Sequence, residues 1–184
     1  SVDPIELGPQ AARAELRRAV LELGLRGVNF DAGFYATALR ADSDRLLPLY
    51  EECQQLGVPA FIMSGPTTPD LADNDPLAVD VVARTFPKLP IVCCHGFYPR
   101  VAEILTVALR NENVFISPDM YMFSPGGRLY IEAANGFLQD QYLFGTSYPF
   151  RAMSQSVADL DTIGLHESVL QKVRSSTARK LLGL

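Results

Sequence analysis

Short, almost continuously apolar segments alternate along this chain with longer amphipathic ones, and this alternation constrains the fold more than any other feature. Segments 58–65 and 91–95 have the composition of strands that are covered on both faces. Segments 42–57 and 76–90 place their apolar residues at helical spacing. Strand and helix in regular succession predict a parallel α/β sheet with right-handed crossovers.

The predicted elements cover most of the chain. Asp42, Ser43 or Asp44 is expected to cap the second helix, and Gly57 is expected to end it. Strands are predicted over 25–33, 58–65, 91–95, 113–120 and 141–149, with Ser1–Asp3 as a further edge. Helices are predicted over 9–23, 42–57, 76–90, 99–110, 127–137, 157–163 and 168–182.

Two architectures fit this order of elements: a doubly wound open sheet and a (β/α)₈ barrel. The chain has 184 residues, whereas a barrel takes about 250, so length alone favours the open sheet. Neither GxGxxG nor GxxxxGK[ST] occurs, which disfavours a nucleotide- or phosphate-binding module. The length also predicts a single domain over residues 1–184.

Composition excludes several classes of partner. The net charge is −5, and a nucleic-acid binder would need a basic face. No apolar run approaches the roughly 18 residues of a membrane span, and the first residues do not resemble a signal peptide. Cys53, Cys93 and Cys94 are odd in number, with two adjacent, which disfavours a disulfide framework. A cytoplasmic location is therefore expected.

A family resemblance is carried by six segments in chain order: SVDP…AELRRAVLELGLRGVNFDA, LLPLYEECQQLGVPAFI, FPKLPIVCCHG, NVFISPDMY, LFGTSYPF and STARKLLGL. They resemble the amidohydrolase-related family, which includes the aminocarboxymuconate-semialdehyde decarboxylase type and the metal-independent lactonases of pyrone dicarboxylates. The resemblance covers essentially the whole chain. It implies an α/β fold with parallel strands that is a whole or partial (β/α)₈ TIM barrel.

The match begins well inside the family barrel. The family's first strand, with its His-x-His pair, has no counterpart here, and SVDP matches a later segment. The resemblance therefore implies a chain that lacks the N-terminal part of the barrel and exposes two sheet edges. Such apolar edges predict a homo-oligomer.

The resemblance also bears on metal binding. The family has a metal-binding histidine where this chain has Met63, and an aspartate where it has Ser147. A thioether is a poor zinc or manganese ligand, and a catalytic zinc needs three or more N, O or S ligands. The chain contains only two histidines. The family's divalent metal, such as zinc, is therefore not expected, and no cofactor is predicted.

His95 follows the apolar run IVCC and has two interpretations. It is either a general acid/base at the carboxyl end of a parallel strand or a hydrogen-bonded structural histidine. The resemblance implies the first, because the family has an acid/base histidine at this strand end. Cys93 shares strand parity with His95, so both are expected to face the barrel interior and Cys94 the helices. Cys93 is therefore either a nucleophile that pairs with His95 or a thiol that packs in the core.

Polar residues at other strand ends complete the candidate site. Asp119 either orients His95 or contacts the substrate, or it only caps a helix or turn. Asp31 is likewise either a polar group of the site or a turn residue. An arginine would hold a substrate carboxylate through two hydrogen bonds. The predicted catalytic residues are His95 and Asp119, and the predicted substrate-binding residues are Ser147, Tyr148, Arg151, Arg100 and Asn29.

The sequence thus predicts a hydrolase or decarboxylase of the amidohydrolase-related type. Its partner would be a small carboxylated compound, with neither nucleic acid nor membrane involved. The reaction would proceed without the family's usual metal site. The alternative is a non-catalytic scaffold remnant that is used for binding or assembly.

Overall fold

A computed structural model describes residues 1–184, and a sheet of four parallel strands lies at its centre. The strands are β1 Val28–Phe30, β2 Ala60–Ile62, β3 Ile91–Cys94 and β4 Val114–Ser117, adjacent in the order β1-β2-β3-β4. Strands that neighbour one another in chain order form a barrel wall, whereas a doubly wound sheet reverses its order at a switch point. The predicted α/β fold with parallel strands, a whole or partial TIM barrel, is confirmed, and the doubly wound alternative is wrong.

Helices connect the strands and form the C-terminal part of the chain. Each predicted helix is found, in most cases with shorter bounds. A single π turn over Lys172–Ser176 interrupts the last of them. The α-helices are α1 Pro4–Leu7, α2 Pro9–Leu21, α3 Leu47–Leu56, α4 Pro76–Thr85, α5 Val101–Arg110, α6 Arg128–Asn135, α7 Met153–Leu160, α8 Glu167–Gln171 and α9 Thr177–Leu182. None of the helices combines the length and apolarity needed to span a membrane.

The two faces of the sheet differ in their burial. Residues in register with Phe30, namely Ile62, Cys93 and Ile116, are all buried. The ring of Phe30 lies 4.8 Å from that of Tyr50 on α3, so this face packs against the helices. The alternate residues lie on the opposite, concave face, where Asn29, Phe61 and Phe115 are partly exposed and Val92 is buried.

Three sequence predictions of local structure are wrong. Ser1–Asp3 is not an edge strand, because Asp3 caps α1 by accepting the N–H of Ile5 at 2.7 Å. The segment 141–149 is not a strand. Its Tyr142 forms one parallel bridge with Ile116, and the backbone turns away before Ser147, whose φ is +56°.

The third wrong prediction concerns the N-terminus of α3. The helix begins at Leu47, and no side chain caps it. Asp42 instead pairs with Arg40, which removes its carboxylate from the helix end. The prediction for the other end is confirmed, because Gly57 adopts the left-handed conformation that closes α3, with φ +69°.

Two buried tyrosine hydroxyls lead to a stability prediction. The hydroxyl of Tyr50 has no hydrogen-bond partner, whereas that of Tyr35 donates to the carbonyl of Val2 at 2.6 Å. Tyr50→Phe removes an unpaired buried polar atom and is expected to raise the free energy of unfolding by about 1 kcal/mol. Tyr35→Phe, the same change at a bonded hydroxyl, is expected to lower it by about 1 kcal/mol. Urea unfolding measures both, and a loss of stability in Tyr50→Phe would contradict the prediction.

Candidate active site

The strands deliver polar side chains to one open cleft of about 640 Å³. Asp31 follows β1, Met63 follows β2 and His95 follows β3, so three successive strand ends line it. Parallel strands end at the same edge of the sheet, which is where barrel folds place their sites. Asp3, Glu6 and Phe150 lie on the cleft wall as well.

His95 and Asp119 form the central pair of this site. Nδ1 of His95 is buried and lies 2.9 Å from Oδ2 of Asp119, although the ring N–H does not point along this line. The same oxygen accepts the backbone N–H of His95 at 3.1 Å. A carboxylate so close to Nδ1 favours a proton on that nitrogen and leaves Nε2 toward the cleft.

Asp119 is itself fixed from two sides. Only 8% of the residue is exposed, and its Oδ1 accepts the hydroxyl of Ser117 at 2.6 Å. Gly145 lies so close that a Cβ there would overlap with Oδ1 of Asp119. Only glycine fits beside this carboxylate, and the Asp119 side chain therefore has little freedom to move away from His95.

The site residues have an unusual backbone conformation. His95, Phe97, Asp119 and Ser147 are the only non-glycine residues with positive φ, at +59°, +56°, +56° and +56°. Left-handed conformations cost an L-residue roughly 1–2 kcal/mol. Three of these four are predicted site residues, and such strain concentrates at functional sites.

Ser147 links the segment 141–149 to this arrangement. Its Oγ accepts the backbone N–H of Met120 at 3.1 Å, directly after Asp119. The structure thus brings three predicted residues together, with His95 paired to Asp119 and Ser147 holding the turn that presents Asp119.

Aromatic side chains form the wall behind the imidazole. The ring of Tyr121 meets that of His95 edge-on at 5.5 Å between centroids, and Tyr98 stacks on Tyr121 at 4.7 Å. Sequence reasoning did not assign a role to Tyr98. Their packing restricts rotation of the His95 ring.

The predicted orientation of the two cysteines is wrong. Cys93 lies in register with Phe30, faces the helices and is fully buried, whereas Cys94 lies on the concave face. The prediction assumed that strand alternation continues through His95, but the positive φ of His95 breaks it. Burial raises the pKa of both thiols, and Asp119 and Asp31 raise that of Cys94 further. Cys93 therefore does not pair with His95.

The structure places the two candidate arginines outside the cleft. Arg100 donates to Asp75 at 2.9 Å and pairs with Glu103, while Arg151 pairs with Asp159 and lies 4.2 Å above the ring of Phe123.

The other two candidates lie on different parts of the site. The amide of Asn29 donates to Oδ1 of Asp31 at 2.7 Å, beside the cleft. Tyr148 is 66% exposed and follows Ser147. Asn29 thus fixes the orientation of a carboxylate that lines the cleft.

The residues of this chain do not fit a metal centre with three protein ligands. No group of three or more His, Cys, Asp or Glu side chains is placed to hold an ion. Met63 and Ser147 stand where the family resemblance implies a histidine and an aspartate, and Nδ1 of His95 is enclosed by Asp119.

Fold and site together define a TIM-barrel protein with a histidine–aspartate pair at the carboxyl ends of its strands. The chain belongs to the amidohydrolase family, which it matches over residues 1–184. The predicted family is thereby confirmed.

Solved structures agree with this assignment. An uncharacterized TIM-barrel protein from Bordetella bronchiseptica is 37% identical, with a TM-score of 0.90, and the match covers 95% of this chain and 63% of that one. A 2,6-dihydroxybenzoate decarboxylase from Rhizobium is 20% identical, with a TM-score of 0.72 over 98% of this chain and 69% of that one. At 20% identity, the similarity to the Rhizobium enzyme shows a shared fold.

A curated relative matches a shorter region. The 2-amino-3-carboxymuconate-6-semialdehyde decarboxylase of Dictyostelium discoideum is 44% identical over 48 residues, which are 26% of this chain and 13% of that protein. The chain thus spans less than two thirds of the length of this relative and of the Bordetella protein.

Proposed function

We propose that this chain carries the proton-transfer site of a decarboxylase that acts on a small carboxylated aromatic or conjugated compound. The observation that carries the proposal is the His95–Asp119 pair, with Nδ1 and Oδ2 2.9 Å apart at the strand ends. The name of one structural relative, a dihydroxybenzoate decarboxylase, supports the substrate class.

His95 supplies the proton in this proposal. Nε2–H of the protonated imidazole gives its proton to the carbon that bears the carboxylate. The C–C bond then breaks, its electron pair returns to the conjugated system of the substrate, and CO₂ leaves. The neutral imidazole recovers a proton from water. Asp119 holds the ring in place and compensates its positive charge while it is protonated.

The charges of the cleft narrow the proposed substrate class. His95 is the only basic side chain on the cleft wall, where Asp3, Glu6 and Asp31 supply three carboxyl groups. A single substrate carboxylate near His95 is compatible with this wall, and hydroxyl or amino groups would donate to the carboxylates. A second substrate carboxylate would be repelled, so we favour hydroxylated or aminated monocarboxylates over dicarboxylates.

A substrate panel in D₂O tests the proposal. 2,6-Dihydroxybenzoate serves as the monocarboxylate, benzene-1,2-dicarboxylate as the dicarboxylate, and a small lactone as the probe for hydrolysis. The proposal expects CO₂ only from hydroxylated or aminated monocarboxylates, with one deuteron on the vacated carbon for each CO₂ released. Lactone opening without CO₂ release would instead establish hydrolysis, and an inert panel would favour the scaffold alternative.

A further inference from the structure

The turn that carries His95 is held in place by side chains from outside the turn. His95, Gly96 and Phe97 all have φ between +56° and +59°, a run of left-handed residues that two non-glycine side chains disfavour. The backbone N–H of His95 is bonded to Asp119 at 3.1 Å. That of Phe97 donates to Oγ of Ser64, a buried residue after β2, at 2.9 Å. These contacts hold the two ends of the turn.

The centre of the turn is held by Tyr130. Its hydroxyl donates to the carbonyl of Gly96 at 2.8 Å, and the residue is fully buried on α6. A Cβ on Gly96 would lie 2.8 Å from the same hydroxyl, so the tip of Tyr130 presses directly on this peptide. The carbonyl of Gly96 accepts no other hydrogen bond, either from a side chain or from the backbone.

We propose that Tyr130 is a positioning residue for His95. Its hydrogen bond to Gly96 holds the left-handed turn, and the turn keeps Nδ1 of His95 against Asp119. Loss of the bond would let His95 relax toward ordinary backbone conformations and leave the carboxylate. The consequence for catalysis rests on the proposed function of His95, whereas the geometric link between Tyr130 and the imidazole does not.

The chain offers a matched control for this proposal. Tyr142 is another fully buried tyrosine, 1% exposed, but its hydroxyl has no hydrogen-bond partner. Tyr130→Phe and Tyr142→Phe therefore delete the same atom from comparable surroundings, and only the first deletion breaks a contact with the turn.

Nitrogen NMR of the imidazole rings tests the proposal without a substrate. The chain has only two histidines, and exposed His166 serves as an internal reference. We expect wild-type His95 to show the signature of an Nδ1–H tautomer, and Tyr130→Phe to move it toward a mixture of tautomers. His166 is expected to keep its signals in both variants, and His95 to keep its own in Tyr142→Phe. Turnover of Tyr130→Phe should fall about tenfold with little change in KM.

The outcomes separate this proposal from the proposed function. A folded Tyr130→Phe variant whose His95 signals coincide with those of wild type would overturn the positioning role. Should this variant not fold, Tyr130→Met, which also lacks the hydroxyl and fills part of the same space, is expected to give the same change at His95, and unchanged signals there would overturn the role too. Full activity of a His95→Gln variant would instead overturn the proposed function and leave the NMR result standing.

Discussion

Replacing His95 by glutamine is expected to lower kcat by about 10²–10⁴-fold, the usual contribution of a positioned general acid or base. Glutamine has a similar length and can still form hydrogen bonds, but it cannot deliver a proton. KM is expected to rise as well, because glutamine removes the only basic side chain on the cleft wall, which attracts the substrate carboxylate in this proposal. The measurement is a steady-state rate of CO₂ release.

His166→Gln is the control for this experiment. His166 is the other histidine of the chain, is exposed, and precedes α8 far along the chain from the strand ends. This variant should retain the wild-type rate. Equal rates in His95→Gln and His166→Gln would show that the imidazole of His95 is not the proton donor.

The second large effect is expected from Asp119→Asn, with kcat about 10²-fold lower. Asparagine has the shape of aspartate, and its carbonyl oxygen can still accept the backbone N–H of His95 while its amide faces Ser117. What the variant loses is the negative charge 2.9 Å from Nδ1, which compensates the imidazolium. The variant should therefore remain folded and bind substrate.

The charge-specific nature of this effect can be checked directly. Asp44→Asn removes an exposed carboxylate that lies before α3, and it is expected to leave kcat unchanged. A wild-type rate in Asp119→Asn, with the fold intact by circular dichroism, would reduce Asp119 to a residue that holds the turn. A greater loss in Asp119→Ala than in Asp119→Asn is expected, because alanine also releases the N–H of His95.

The general fold could be predicted because the two kinds of segment differ in which residues they bury. Strands that are covered on both faces are apolar throughout, whereas the helices are apolar on one face only. Asp31, Met63 and His95 each follow such a run, so the edge of the sheet that carries the site was also predictable. The pair of His95 with Asp119 followed from two strand ends that lie side by side in the sheet.

Other features of the site depend on contacts that sequence patterns do not show. The predicted orientation of Cys93 is wrong because His95 adopts a left-handed conformation, in a turn that has tertiary contacts to Asp119, Ser64 and Tyr130. Tyr130 has the spacing of a core residue on α6, and nothing in that spacing reveals that its hydroxyl reaches Gly96.

The arginines illustrate the same limit. Arg100 and Arg151 follow predicted strands and were natural candidates for a substrate carboxylate. Arg100 pairs with Asp75, which comes from the preceding loop, and Arg151 pairs with Asp159 on the next helix. Carboxylates of the same chain thus compete with a substrate for these two arginines. The sequence does not reveal this competition, because it depends on how the loops fold over the barrel rim.

Hydrogen exchange on the decarboxylated product tests the role of His95 most directly, because it isolates proton transfer from the loss of CO₂. The product is incubated with the protein in D₂O, and deuterium is measured at the carbon from which CO₂ would have left. Wild type is expected to catalyse this exchange, and His95→Gln is expected to lower its rate by about 10²-fold or more. Equal exchange rates in the two proteins would contradict the assignment of His95 as the proton donor.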